Sequence, residues 1–168
     1  MGAFVIHALP VGAGILAIAP LPGRSGDYAA DLAHLKDWRP SLVLTLTTPG
    51  EMAEAGVPEL GHDIGAMGSR WAHLPVADLA APDAAQHGSW REASRAALAA
   101  LAGGGRVLIH CLGGCGRSGM AALRLMIEAG EAPDAALARL RAIRPCAVET
   151  QAQARWAGAV DWSAPEGG

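Results

Sequence analysis

Val107-Leu108-Ile109-His110-Cys111-Leu112-Gly113-Gly114-Cys115-Gly116-Arg117-Ser118-Gly119 is the stretch on which the reading of this chain turns. It opens with an apolar run of the length of a short buried strand, passes into a glycine-rich loop, and leads into a helical pattern from about Ser118 to Ala129. A loop so placed can curl its backbone N–H groups inward, and the positive end of the following helix points at the same cavity. Such a cradle suits a phosphate dianion. The amides of Leu112, Gly113, Gly114, Cys115, Gly116 and Arg117 would bind it, and the Arg117 fork would close the ring with two hydrogen bonds. Cys111 would lie at the bottom. Inward amides, a helix N-terminus and a guanidinium all favour its thiolate, so a nucleophile is available without a metal or other cofactor.

Working outward, strands and helices alternate. Apolar strand candidates are Phe4 to Ile6 and Ile15 to Ile18, followed by a helix from about Asp27 to Trp38 and a buried strand from Leu42 to Leu46. Thr48-Pro49-Gly50-Glu51 has capping-box spacing and opens a short helix to Ala55 that Gly56 can end. Ala72, Leu74 and Val76 alternate as in a strand, and Ala77 to His87 reads as an irregular loop. Ser89-Trp90-Arg91-Glu92 is a second capping box, opening a helix that stops at Gly103-Gly104-Gly105. Beyond the glycine loop three helices are expected: about Ser118 to Ala129, Pro133 to Arg144, and Thr150 to Val160. The pattern predicts a single α/β domain over 1–168, with a central, mostly parallel sheet of four to five strands and helices on both faces. The phosphate-binding loop joins its last strand to the next helix.

The totals narrow the function classes. A net charge of -3 and a pI near 6.0 leave no basic footprint for nucleic acid. Residues 1–23 carry no Lys, Arg, Asp or Glu, but Pro10, Pro20 and Pro22 break any membrane-spanning helix, and no basic segment opens a leader. Two short strands fit better. Cys111, Cys115 and Cys146 are an odd number in a chain with no export signal, so a disulfide framework is not expected and a reducing, cytoplasmic setting is.

Competing readings of the glycine loop fail on context. Gly114-x-Gly116-x-x-Gly119 satisfies a dinucleotide fingerprint, yet the region where a second strand and its acidic residue should follow is the helix around Arg139. Gly12-x-Gly14-x-x-Ala17 lacks its helix because of Pro20 and Pro22. His110, Cys111 and Cys115 lack a second Cys/His cluster for zinc. A purely structural strand and turn accounts for the glycines but leaves Cys111, Arg117 and Ser118 as coincidence.

His110 to Gly119 resembles the signature H-C-x-x-G-x-x-R-S/T of the protein tyrosine phosphatase superfamily, and more of the chain is similar to the dual-specificity, cyclin-dependent-kinase-associated type. Pro20-x-Pro22-Gly23, Gly56-Val57-Pro58-x-Leu60, His73-x-Pro75-x-Ala77-Asp78 with Pro82-Asp83, and Arg144-Pro145 with Ala147-Val148-Glu149-Thr150-x-x-Gln153 carry that similarity over roughly residues 20–155.

The resemblance implies roles. Cys111 is the nucleophile and Arg117 the phosphate clamp. Asp78 occupies the general-acid position, with Asp83 competing for it. Ser118 matches the hydroxyl that helps the thiolate leave, and it is also a candidate helix N-cap. Gln153 matches a glutamine that positions the hydrolytic water, or else is an exposed polar residue. His110 organises the loop and tunes the thiol, while Arg24 is either a substrate contact or a surface arginine. The expected substrate is a phosphorylated protein, on phosphotyrosine and/or phosphoserine/threonine, with a small phosphoester or a non-catalytic phosphate-binding module as alternatives. No membrane or nucleic-acid partner is implied, and no oligomeric state.

Overall fold

The computed structural model describes residues 3–158. Five strands, β1 (His7–Val11), β2 (Gly14–Ala19), β3 (Leu42–Thr45), β4 (Arg70–His73) and β5 (Arg106–His110), form one sheet in the order β1-β2-β5-β3-β4. β2, β5, β3 and β4 run parallel, and β1 is antiparallel to β2. The mostly parallel sheet is as expected. Its centre is β5, where His110 stands in register with Ala19 on one side and Thr45 on the other. The glycine loop therefore leaves the carboxyl end of the central strand, the usual ligand position in an open parallel sheet.

Alternation along the strands sends side chains into two cores. Leu16, Ile18, Val107 and Ile109 face the layer formed by α4 (His87–Ala102), α5 (Gly116–Glu128), α6 (Pro133–Ile143) and α7 (Gln151–Ala157). Ala17, Ala19, Val43 and Leu108 face α1 (Tyr28–Trp38), α2 (Pro49–Glu54) and α3 (Leu60–Ala66). β5 is covered on both sides, so Leu108→Ala would cost about 2–5 kcal/mol through lost contacts and the cavity left behind.

Local expectations fail for identifiable reasons. Phe4 to Ile6 is not a strand: continuing the His7↔Ile18 register would set Val5 against Pro20, which has no N–H to donate. α3 was not anticipated, because Gly61 and Gly65 weaken its helical signal; Leu60 and Ile64 bury themselves, and Gly61 admits the Trp71 ring. β4 ends at His73, although Leu74 and Val76 remain buried and donate N–H to Thr45 O and Leu46 O. The Ser89 box does not form. Asp83 and Gln86 cap each other instead across a 3-10 turn, and α4 starts at His87. The Thr48–Glu51 box forms as expected, and Thr150 and Gln153 make another at the start of α7. The expected extension of α7 to Val160 lies outside the described residues.

Candidate active site

α5 begins at Gly116, two residues earlier than expected, so Arg117 and Ser118 lie in its first turn and neither is the N-cap. The dipole of a 13-residue helix thus ends directly on the loop. Two glycines permit the curl. Gly114 has φ +73°, and a Cβ there would stand 2.7 Å from the Ala19 carbonyl carbon; at Gly116 a Cβ would collide with the Glu149 and Gln153 side chains. The loop's outer carbonyls are held from behind. Arg144 donates to Gly113 O and Gly114 O, both at 3.1 Å, and Arg24 donates to Leu112 O at 3.2 Å. Arg24 therefore braces the loop.

Cys111 is buried, with its Sγ 3.3 Å from Ser118 Oγ. Beneath it, His110 is fully enclosed. Its Nδ1 lies 3.2 Å from Cys111 O, its Nε2 lies 2.7 Å from Thr45 Oγ1, and Trp71 Nε1 donates to that same hydroxyl at 2.8 Å. A carbonyl can only accept, so Nδ1 carries the proton; Thr45 donates to Nε2, and the ring is neutral. Burial, with His73 and Arg117 adding charge repulsion, pushes the His110 pKa down to about 4. The sequence pointed to His110 but not to Thr45 or Trp71, which are 65 and 39 positions away from it.

The residue most clearly missed is Glu51. Its spacing from Thr48 marks it only as half of a capping box, yet its carboxylate also grips Arg117 end-on, Nη1 to Oε1 at 2.7 Å and Nη2 to Oε2 at 2.9 Å. This pairing, with the Thr48 hydrogen bonds, holds the Glu51 pKa at about 2. The second Nη1 proton goes to Val76 O at 2.8 Å. Arg117 is only 2% exposed, and its Nε–H has no partner among the described residues. The guanidinium thus keeps its Nε–Nη2 edge for a further acceptor, with a second acidic group close by: Asp78 Oδ1 is 3.7 Å from Nη2.

Asp78 is exposed, on a loop tied down when Thr150 Oγ1 donates to Leu79 O at 3.1 Å. Asp83 accepts from Gln86 N as a helix cap, and its position is explained without substrate. Gln153 is buried rather than exposed. Its Oε1 accepts from Glu149 N and Thr150 N, and its Nε2 donates to Ala80 O at 3.4 Å, which puts it beside Gly116.

One expectation is overturned. Cys115 and Cys146 form a disulfide with Cα atoms 5.2 Å apart, leaving Cys111 as the one free thiol among the described residues. Counting cysteines could not show that positions 31 apart meet, because the contact depends on how the segment after α6 packs on the loop. Cys115 is therefore no partner for Cys111 in this state. No three His, Cys, Asp or Glu side chains among the described residues form a metal-binding group.

A cysteine at the carboxyl end of the central strand, a glycine loop and an arginine in the next helix's first turn define a cysteine-dependent phosphatase site. The chain belongs to the dual-specificity branch of the protein tyrosine phosphatases: the family model described as "Swiss Army Knife protein, DSP-PTPase phosphatase domain" matches residues 23–157. Among solved structures, kinase-associated phosphatase with its catalytic-site cysteine replaced by serine is 26% identical, covering 94% of each chain at TM-score 0.81. Tk-PTP in its active form is 30% identical, covering 84% of this chain and 87% of its own at TM-score 0.68. A putative protein tyrosine phosphatase from Leishmania major, 17% identical, shares the fold over 94% of this chain and 99% of its own at TM-score 0.72. Among the curated proteins none matches.

Proposed function

We propose that this phosphatase hydrolyses phosphomonoesters on proteins, at phosphotyrosine and/or phosphoserine/threonine, through a phosphocysteine on Cys111 and without a metal. The observation that carries the reading is the Nε–Nη2 edge of Arg117, buried, oriented by Glu51 and left with donors to spare beside the loop that starts at Cys111. Two phosphate oxygens fit that edge, while the loop amides take the equatorial charge that develops in transfer.

In the first step Cys111 Sγ attacks phosphorus. The ester oxygen departs with the proton of Asp78, a role supported by the 3.7 Å approach of its Oδ1 to Arg117 Nη2. In the second step Asp78 takes a proton from water as that water attacks the phosphocysteine, and Cys111 leaves as a thiolate that receives the Ser118 hydrogen bond. Gln153, buried beside Gly116, is the group we assign to that water. Membership of the family described as a DSP-PTPase phosphatase domain supports a phosphorylated protein as substrate. We place the protein in a reducing, cytoplasmic setting, where the free Cys111 thiol stays reduced.

Cys111→Ser tests the reading. Turnover of an aryl phosphate should vanish while vanadate or phosphate still binds the cradle. Turnover within tenfold of wild type would overturn it.

A further inference from the structure

The Cys115–Cys146 bond lies inside the phosphate loop, yet no step of the hydrolysis uses it. It joins the residue between Gly114 and Gly116 to the segment following α6. That segment already embraces the loop by weaker means. Arg144 donates to Gly113 O and Gly114 O, Val148 N donates to Cys115 O at 3.3 Å, and Arg141 holds Ala147 O and Val148 O at 2.9 Å. Val148 itself sits at φ +67°, a conformation a β-branched residue adopts only when its surroundings impose it. The disulfide is the covalent member of this clasp. It bears on the register of the cradle amides and, two residues on, of Arg117.

Both cysteines are partly exposed, whereas Cys111 is only 2% exposed, so a dissolved thiol or disulfide meets the pair first. Arg144 Nη2 lies 3.5 Å from Cys115 Sγ, a position that favours a thiolate there once the bond is open. Disulfides in reducing compartments are mostly transient ones that respond to redox state.

We propose that Cys115 and Cys146 are a thiol–disulfide exchange site for a glutathione-type disulfide, and that closing the bond produces the more active phosphatase. In the closing reaction the Cys115 thiolate attacks one sulfur of oxidised glutathione and releases one glutathione. The Cys146 thiolate then displaces the second. The two protein thiols are oxidised to one disulfide, one glutathione disulfide is reduced to two thiols, and the two protein protons pass to the released thiolates. Opening the bond leaves the Arg144 and Val148 contacts in place, so the loop loosens without collapsing. The loss in kcat/KM should be about threefold to tenfold, well short of the hundredfold that a displaced catalytic group costs.

The test uses the full chain equilibrated in buffers of stepped reduced-to-oxidised glutathione ratio, with one aliquot assayed directly for aryl phosphate turnover and a second alkylated and read by intact mass. Wild type should take up two fewer alkyl groups as the buffer becomes oxidising, with no glutathione retained, and its kcat/KM should rise in step. Cys146→Ser should stay at the reduced level in every buffer where Cys111 is unmodified, and its melting temperature separates this effect from misfolding. Inactivation by oxidation of Cys111 has the opposite sign and appears in both proteins. A wild type whose kcat/KM is the same with the bond open and closed, or a pair that does not close in any buffer, would overturn the proposal. The activity arm rests on Cys111-dependent turnover, which Cys111→Ser checks separately; the mass arm does not.

Discussion

The carboxylate of Glu51 meets the guanidinium of Arg117 end-on through two hydrogen bonds of 2.7 and 2.9 Å, from a residue 66 positions earlier. The same carboxylate accepts from Thr48 N at 3.0 Å, so the N-terminus of α2 and the phosphate clamp share one acidic group. Because both ends of Glu51 are engaged, Arg117 can turn only its other edge toward a substrate.

Glu51→Gln keeps an acceptor but removes the charge, and should cost roughly 2 kcal/mol of stability at neutral pH, the scale of a hydrogen bond to a charged group. The Glu51 pKa is lowered from 4.5 to about 2, so its contribution is complete above pH 4.5 and is lost as pH falls toward 2. Denaturant titrations of both proteins across that range should show the difference shrinking with acidification. A difference that grows would contradict the pairing.

His110 titrates in a different window. Its pKa falls from 6.5 to about 4 on folding, so between those values the unfolded chain binds a proton that the folded ring refuses. Stability should therefore decline as pH is lowered through that window and level off below it. His110→Asn, which can still donate to Cys111 O, should flatten this part of the profile. An unchanged profile would mean that the neutral His110 is not its source.

The two loop aspartates should separate by leaving group. Asp78→Ala should cost about 10² or less on a nitrophenyl ester, which departs almost unaided, and on the order of 10³ to 10⁴ on alkyl esters that need protonation. Asp83→Ala removes a helix cap, costing about 1 kcal/mol of stability, with no dependence on leaving group. A graded loss at Asp83 and none at Asp78 would reverse the assignment.

How far the sequence revealed these features depended on how local their causes were. The strand-loop-helix order around Cys111, the Thr48 box and the glycine stop of α4 rest on neighbours a few positions apart, and each could be read directly. Glu51 on Arg117, Trp71 on Thr45 and Cys115 on Cys146 are contacts made by sheet order and helix packing. No spacing rule announces them. The Ser89 box and the Phe4 to Ile6 strand show the converse, valid local patterns displaced by a competing cap at Asp83 and by the missing N–H of Pro20.

A phosphocysteine on Cys111 can be trapped. Ser118 Oγ, 3.3 Å from Cys111 Sγ, is the hydroxyl that would ease the thiolate's departure, so Ser118→Ala should slow breakdown of the intermediate more than its formation. Acid-quenched during turnover of an aryl phosphate and analysed by peptide mass, the variant should carry one phosphoryl group on the peptide containing Cys111. Continued turnover with no phosphoryl group on Cys111, or with the group on another residue, would contradict the account.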